Sequence, residues 1–226
     1  MDLYPRFLEA FQYEPTPCQD GLFRTLSDFL NSRDGDILVV NGYAGSGKTS
    51  AISSAISALT ALHANCVLLA PTGRSAKVFA SYAGFPAYTI HKYIYRQITS
   101  GFGRFTLAPN KAKNTVFFVD EVSLVGIDSP TKADGEAVFG SGNLLKDLVE
   151  FVRNGTDCRL VMIGDNAQLP PVVLDKSPAL DADLMNSFVG GVKFFTLKTV
   201  VRQAHDSGIL HNATILREAI TSYTEP

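Results

Sequence analysis

Eight consecutive residues limit the possible folds more than any other feature. They are Gly42-Tyr-Ala-Gly-Ser-Gly-Lys-Thr49, which fit the spacing G-x-x-x-x-G-K-[ST]. An apolar run, Ile37-Leu-Val-Val-Asn41, precedes them and reads as a buried strand. A stretch over 48–63 follows and reads as a helix, with Ile52, Ala55, Ile56, Leu59 and Leu62 on one face. A strand that turns through glycines straight into a helix belongs to an α/β sheet. The glycines let successive backbone N–H groups turn inward, and the helix N-terminus adds its partial positive charge. Gly42, Ala44, Gly45, Ser46, Gly47, Lys48 and Thr49 are therefore the expected phosphate cradle, with Lys48 reaching the β- and γ-phosphates and the Thr49 hydroxyl binding Mg2+.

The rest of the chain repeats the alternation. Thr16 can cap, and Pro17 can begin, a helix over 16–31 carrying Leu22, Phe23, Leu26, Phe29 and Leu30 as one stripe. Further strands are expected at Cys66–Ala70, Thr115–Val119, Arg159–Ile163 and Lys193–Leu197, and helices at about 73–83, 89–95 and Asn143–Arg153. Strands separated by helices imply right-handed crossovers and a parallel sheet covered by helices on both faces. Two stretches break the rhythm: 94–108 reads as an inserted β-hairpin, and 126–142 has the composition of a mobile surface loop. Apolar residues at 46% and charged residues at 19% exclude a disordered polyampholyte, and no apolar run is long enough for a membrane-spanning helix. The start MDLYPRFLEA lacks the pattern of a signal peptide, and Cys18, Cys66 and Cys158 are scattered. A cytoplasmic protein without a disulfide framework or a membrane partner is expected.

The net charge of −2 hides an asymmetry. Between Asp36 and Asp120 there is no acidic residue across 83 positions, yet eight Lys and Arg fall there, seven of them between 74 and 113. Phe79, Tyr82, Phe85, Tyr88, Tyr93, Tyr95, Phe102 and Phe105 share that window. Cations beside rings suit a single-stranded nucleic-acid groove; a solvated basic face over buried rings has the same composition.

Val119-Asp120-Glu121 ends the third expected strand with the acidic pair that phosphoryl transfer requires. Asp120 would hold Mg2+, and Glu121 would orient the attacking water and accept its proton. The fourth strand ends in Gly164-Asp-Asn-Ala-Gln-Leu-Pro-Pro-Val, where Gln168 is placed to sense a γ-phosphate.

The ordered set NGYAGSGKT, APTGRSAKVF, TIHKYIY, VDEVSLV, GDNAQLPPV and VVRQ resembles the motifs of superfamily 1 DNA helicases, nearest the RecD-like 5′-to-3′ class that includes the phage Dda type. The resemblance runs from about Gln19 to Gln203. It implies a RecA-like P-loop NTPase fold, ATP and Mg2+ as ligands, and single-stranded DNA with a duplex junction as partners. It implies that Gln19 reads adenine, since an amide both donates and accepts. It also implies that Pro71, Thr72 and Gly73, with Arg74 beside them, hold the DNA strand, that Thr89 and His91 form the next DNA contact, and that Arg202 points at the γ-phosphate. The hairpin at 94–108 corresponds to a strand-splitting pin with Phe102 at its tip. The implied organisation is an N-terminal helical segment over 1–35, a first RecA-like motor domain over 36–198, and the start of a second over 199–226. A family motor has two such domains, so the chain is expected to be a fragment, with poor hydrolysis and no unwinding alone. Other readings of the phosphate loop are an RNA helicase or packaging-type ATPase, a P-loop kinase, and a small GTPase-like switch reading guanine through Thr131-Lys-Ala-Asp134. The loop alone fits all of these; APTGRSAK and GDNAQLPPV favour the helicase.

Overall fold

The computed structural model describes residues 2–32, 34–98, 103–127, 138–168, 170–171, 174 and 176–199. Helices α1 (Tyr4–Ala10) and α2 (Pro17–Asn31) lead into β1 (Ile37–Gly42), α3 (Lys48–Ala61), β2 (Asn65–Ala70), α4 (Gly73–Ala83), β3 (Ala87–Thr89) and α5 (Ile90–Ile94). A hairpin of β4 (Tyr95–Gln97) and β5 (Arg104–Leu107) precedes β6 (Thr115–Val119). Then come β7 (Val138–Phe139), α6 (Leu144–Arg153), β8 (Arg159–Gly164), α7 (Ala182–Phe188) and β9 (Val192–Leu197).

Six strands form one sheet in the order β3-β2-β6-β8-β1-β9, and every neighbouring pair is parallel. Both faces are covered. Leu38 and Val40 of β1, Val116 and Phe118 of β6, and Val161 and Ile163 of β8 enter one core with α1 to α4. The alternate residues Ile37, Val39, Phe117, Val119, Leu160 and Met162 enter a second core with α5, α6 and α7. The two-residue period of a strand thus feeds two cores, which is why these strands read as unbroken apolar runs.

Helix α2 begins as its sequence predicts. The Thr16 hydroxyl accepts from the Gln19 N–H at 3.3 Å, and the Gln19 side chain accepts from the Thr16 N–H at 3.0 Å, a reciprocal capping box. Phe7, Phe11, Leu22, Phe23, Leu26 and Phe29 of the first 35 residues lie in the same core as β1 and α3. Gly21 lets α2 approach the sheet closely, since a Cβ there would stand 3.3 Å from the Phe195 ring.

The inserted hairpin pairs antiparallel, with Tyr95 opposite Leu107 and Gln97 opposite Phe105. One expectation is corrected here: the segment read as a loop over 126–142 is not loop throughout. Val138 and Phe139 add to β5 as a parallel third strand, and Phe139 stacks on Phe105 with ring centroids 4.4 Å apart. Two residues are too few to show a strand period, so only the long-range pairing reveals them. Phe102, Arg202 and the tetrapeptide at 131–134 lie outside the described residues. Among the described residues no helix is long and apolar enough to cross a membrane.

Candidate nucleotide site

The phosphate loop takes the conformation its glycines permit. Gly45 and Gly47 have φ of 81° and 76°, in the left-handed region that side chains disfavour. Gly42 is required for a different reason, because a Cβ there would lie 3.0 Å from both the Lys48 chain and Leu197. The Lys48 ammonium donates to the carbonyl of Gly42 and, at 3.0 Å, to that of Tyr43. Ser46 is buried behind the loop, and its carbonyl accepts from the Gln19 side-chain amide at 3.3 Å.

The neighbouring strand ends complete the site. β6 and β1 flank β8, so Asp120, Asp165 and the glycine loop emerge side by side. Burial pushes the Asp120 carboxyl up to about 6, opposed by the Glu121 backbone N–H, which donates to it at 3.0 Å, and by the charge of Lys48. Glu121 has a φ of 55°, an unfavourable left-handed conformation for a residue with a side chain. Such strain concentrates where surrounding structure fixes a functional group. The buried Ser123 hydroxyl meets the Gln168 side-chain oxygen at 3.2 Å, joining the loops after β6 and β8. The Asn41 side chain accepts from the Asn166 N–H at 3.2 Å, joining β8 to β1.

One cavity of about 510 Å3 collects these groups. Gln19, Ala44, Gly45, Gly47, Lys48, Thr49, Asp120, Glu121 and Gln168 all line it, as do Phe11, Tyr13, Glu14, Tyr82 and Asp165. Gln19 itself is 2% exposed. Its amide spends one donor on Ser46 and one acceptor site on Thr16, out of two of each. Thr49 and Asp120 supply a hydroxyl and a carboxylate, and no group of three His, Cys, Asp or Glu converges among the described residues. That donor set fits Mg2+, which usually keeps water and substrate phosphate oxygens as most of its ligands. Sequence reasoning missed the aromatic end of the cavity. Tyr13 and Tyr82 are 68% and 64% exposed, and nothing local marks them as neighbours of one site. Ser123 was legible in part, since it lies inside the VDEVSLV motif.

The residues expected to hold DNA occupy the other half of the same sheet edge. Ala70 and Thr89 are register partners, so the turns after β2 and β3 sit next to each other. Thr72 caps α4 by accepting from the Ser75 N–H at 3.1 Å, and Thr89 caps α5 by accepting from the Lys92 N–H at 3.2 Å. Gly73 faces open space and Arg74 is exposed. His91 is half-buried between Tyr95 and Phe139, at ring distances of 5.7 and 5.1 Å, and burial lowers its pKa. The rings of the basic window are mostly core: Phe79 and Tyr95 are buried, and Phe85, Tyr93 and Phe105 pack against the cores, which leaves Tyr82 and Tyr88 as the exposed ones described.

Residues 23–133 match the family model described as AAA domain. This stretch is similar to that family. The fold is similar to that of the crystal structure of Pif1 helicase from Candida albicans, with a TM-score of 0.59 at 21% identity over 91% of this chain. The chain spans 44% of the length of that helicase. A mutant large terminase ATPase domain from a Thermus phage aligns at a TM-score of 0.40 and 17% identity, over 84% of each chain. The parallel sheet and the likeness to the Pif1 structure give the chain the RecA-like P-loop fold expected from the motifs. The resemblance to a superfamily 1 helicase motor domain holds at the level of the fold.

Proposed function

We propose that the chain is the ATP-hydrolysing motor domain of a RecD-like DNA helicase, which works on single-stranded DNA to open a duplex junction. The observation that carries this is the single cavity lined by Gln19, the glycine loop, Asp120, Glu121 and Gln168. A base-reading amide, a phosphate cradle, a metal-holding carboxylate, a general base and a γ-phosphate sensor are the set that nucleotide hydrolysis needs.

The residues divide the work. The amides of 44–49 and the Lys48 ammonium hold the β- and γ-phosphates, for which Lys48 exchanges its loop carbonyls for phosphate oxygens. The remaining donor and acceptor of Gln19 match the donor and acceptor on an adenine edge. Thr49 and Asp120 hold Mg2+, which when bound neutralises charge on the phosphate oxygens. Glu121, fixed by its backbone, orients a water toward the γ-phosphorus and takes its proton. Gln168, oriented through Ser123, donates to the γ-phosphate. Arg202 would add a cation from a following lobe, in keeping with a division into 1–35, 36–198 and 199–226.

Pro71, Thr72, Gly73, Arg74, Thr89 and His91 form the track-holding half of the edge, with Phe102 at the pin. Adjacent turns after β2 and β3 and seven exposed cations support this reading. It is tested, in a protein that carries both motor lobes, by ATP turnover with and without single-stranded DNA or RNA of equal length. Stimulation by DNA is expected; equal stimulation by RNA, or none by either, overturns the DNA assignment. Lys48→Ala should abolish the rise in melting temperature caused by ATP and Mg2+, and an unchanged rise would remove the nucleotide from this cavity.

A further inference from the structure

The opposite edge of the sheet carries a second opening. β3 pairs only with Leu68–Ala70, so the first half of β2, Asn65–Val67, has no strand neighbour on that side among the described residues. The gap is a cavity of about 650 Å3 whose walls include His63, Asn65, Phe85, Tyr93, Lys111 and Lys113. Its wall reaches Val67, three residues and about 10 Å along the strand from the end of β2. All of its lining residues fall between 60 and 115, inside the segment that lacks Asp and Glu, so no carboxylate lines it.

The surrounding charge points the same way. Arg74, Lys77, Lys92, Arg96, Arg104, Lys111 and Lys113 are all exposed, and none has a carboxylate partner among the described residues. Ion pairs that do form, such as Arg24 with Asp20 and Arg153 with Asp36, use cations outside the window. Exposed cations without carboxylate partners attract a polyanion. Between the two edges Tyr88 and Tyr93 lie 5.8 Å apart, with Tyr88 exposed beside Thr89 and Tyr93 at the notch. An open strand edge could also accept a peptide strand, but three residues are short of the usual five or six, and the lysines favour an anion.

We propose that this notch is a second phosphodiester-binding site, taking the backbone of a single nucleic-acid strand that leaves the carboxyl edge past Tyr88. The ligand rests on the nucleic-acid reading above, whereas the site does not depend on the nucleotide cavity. Lys111 and Lys113 contact phosphates, and Tyr93 borders the path.

The test is the salt dependence of binding to an oligothymidylate of about 16 nucleotides, measured by fluorescence anisotropy. Lys111→Gln with Lys113→Gln should lower the slope of log K against log salt by about 1.4, at about 0.7 per lost phosphate contact. Lys146→Gln with Lys176→Gln makes the same change in net charge elsewhere and should leave the slope as it was. An equal fall in both pairs, or no fall in the first, overturns the site. A fall with Arg74→Ala and Lys77→Ala but not with the notch pair also overturns it, while leaving the helicase reading intact. Acetylation footprinting then fixes the ligand. The oligothymidylate should protect Lys111 and Lys113; protection by inorganic tripolyphosphate alone would make the notch a small-anion site and overturn the proposal.

Discussion

At the β6–β8–β1 half of the carboxyl edge, polar side chains are tied to groups far away along the chain. At the β3–β2 half, the capping side chains are tied to the turn beside them. Ser123 meets Gln168, Asn41 meets Asn166 and Gln19 meets Ser46, over separations of 45, 125 and 27 residues. Thr72 and Thr89 instead bond to groups three residues away. The contrast follows from the two tasks. Charge that develops during phosphoryl transfer must find donors already in place, because reorganising them would raise the barrier. Contacts to a track must form and release as the strand slips by, so local caps that leave the turns exposed suffice.

The largest effect that could break this contrast comes from the nucleotide half. Lys48→Ala should lower turnover by about a hundredfold to a thousandfold, as loss of a preorganised charge-stabilising donor does. Glu121→Gln should lower it by about a hundredfold or more while keeping the nucleotide-dependent melting shift. Turnover that survives Glu121→Gln would move the general base elsewhere.

Asp120 comes next. Burial raises its pKa from 3.8 to about 6, so the fold prefers the neutral acid. Its contribution is fully present below the ordinary carboxylate value and is lost as pH rises through about 6. The ionised form then costs the nucleotide-free protein about 3 kcal/mol. Asp120→Asn should therefore raise the melting temperature without nucleotide at about pH 7.5, with the gain vanishing near pH 4. It should also abolish the part of ATP binding that depends on Mg2+. A variant no more stable than the parent at the higher pH would show that the carboxylate is not held against a desolvation cost.

The smaller effects sharpen the comparison. Ser123→Ala should cut turnover about twofold to tenfold, the worth of one hydrogen bond, and leave nucleotide affinity nearly unchanged. Equal losses in affinity and turnover would mean that the Ser123–Gln168 contact holds the loops and not the sensor. Thr89→Ala and Thr72→Ala should each cost about 1 kcal/mol of stability, the value of an N-cap, with no change in ATP turnover in the absence of nucleic acid. A fall in that turnover would erase the distinction between the two halves.

Elements with a strong local signal were legible before the structure. The strand–glycine–helix unit at 37–61, the capped helix at Thr16–Asn31 and the apolar runs of β6 and β8 each carry their own instructions. β3 and β7 did not, because strands of three and two residues exist through their partners and show no period of their own. Rings in the basic window illustrate the same limit. Composition put Tyr82 and Phe79 on equal terms, yet their places on α4 bury one and leave the other on the nucleotide cavity.

By itself the sequence determined the local chemistry: left-handed glycines at 45 and 47, a cation and a hydroxyl at the start of α3, and paired carboxylates at the end of a buried strand. Only the tertiary structure decided that β8 lies between β6 and β1, that Gln19 reaches back to Ser46, and that a shortened β3 leaves an opening beside β2. Strand order depends on burying both faces of the sheet and on the hand of each crossover. Those conditions belong to the whole chain, and no window of neighbouring residues contains them.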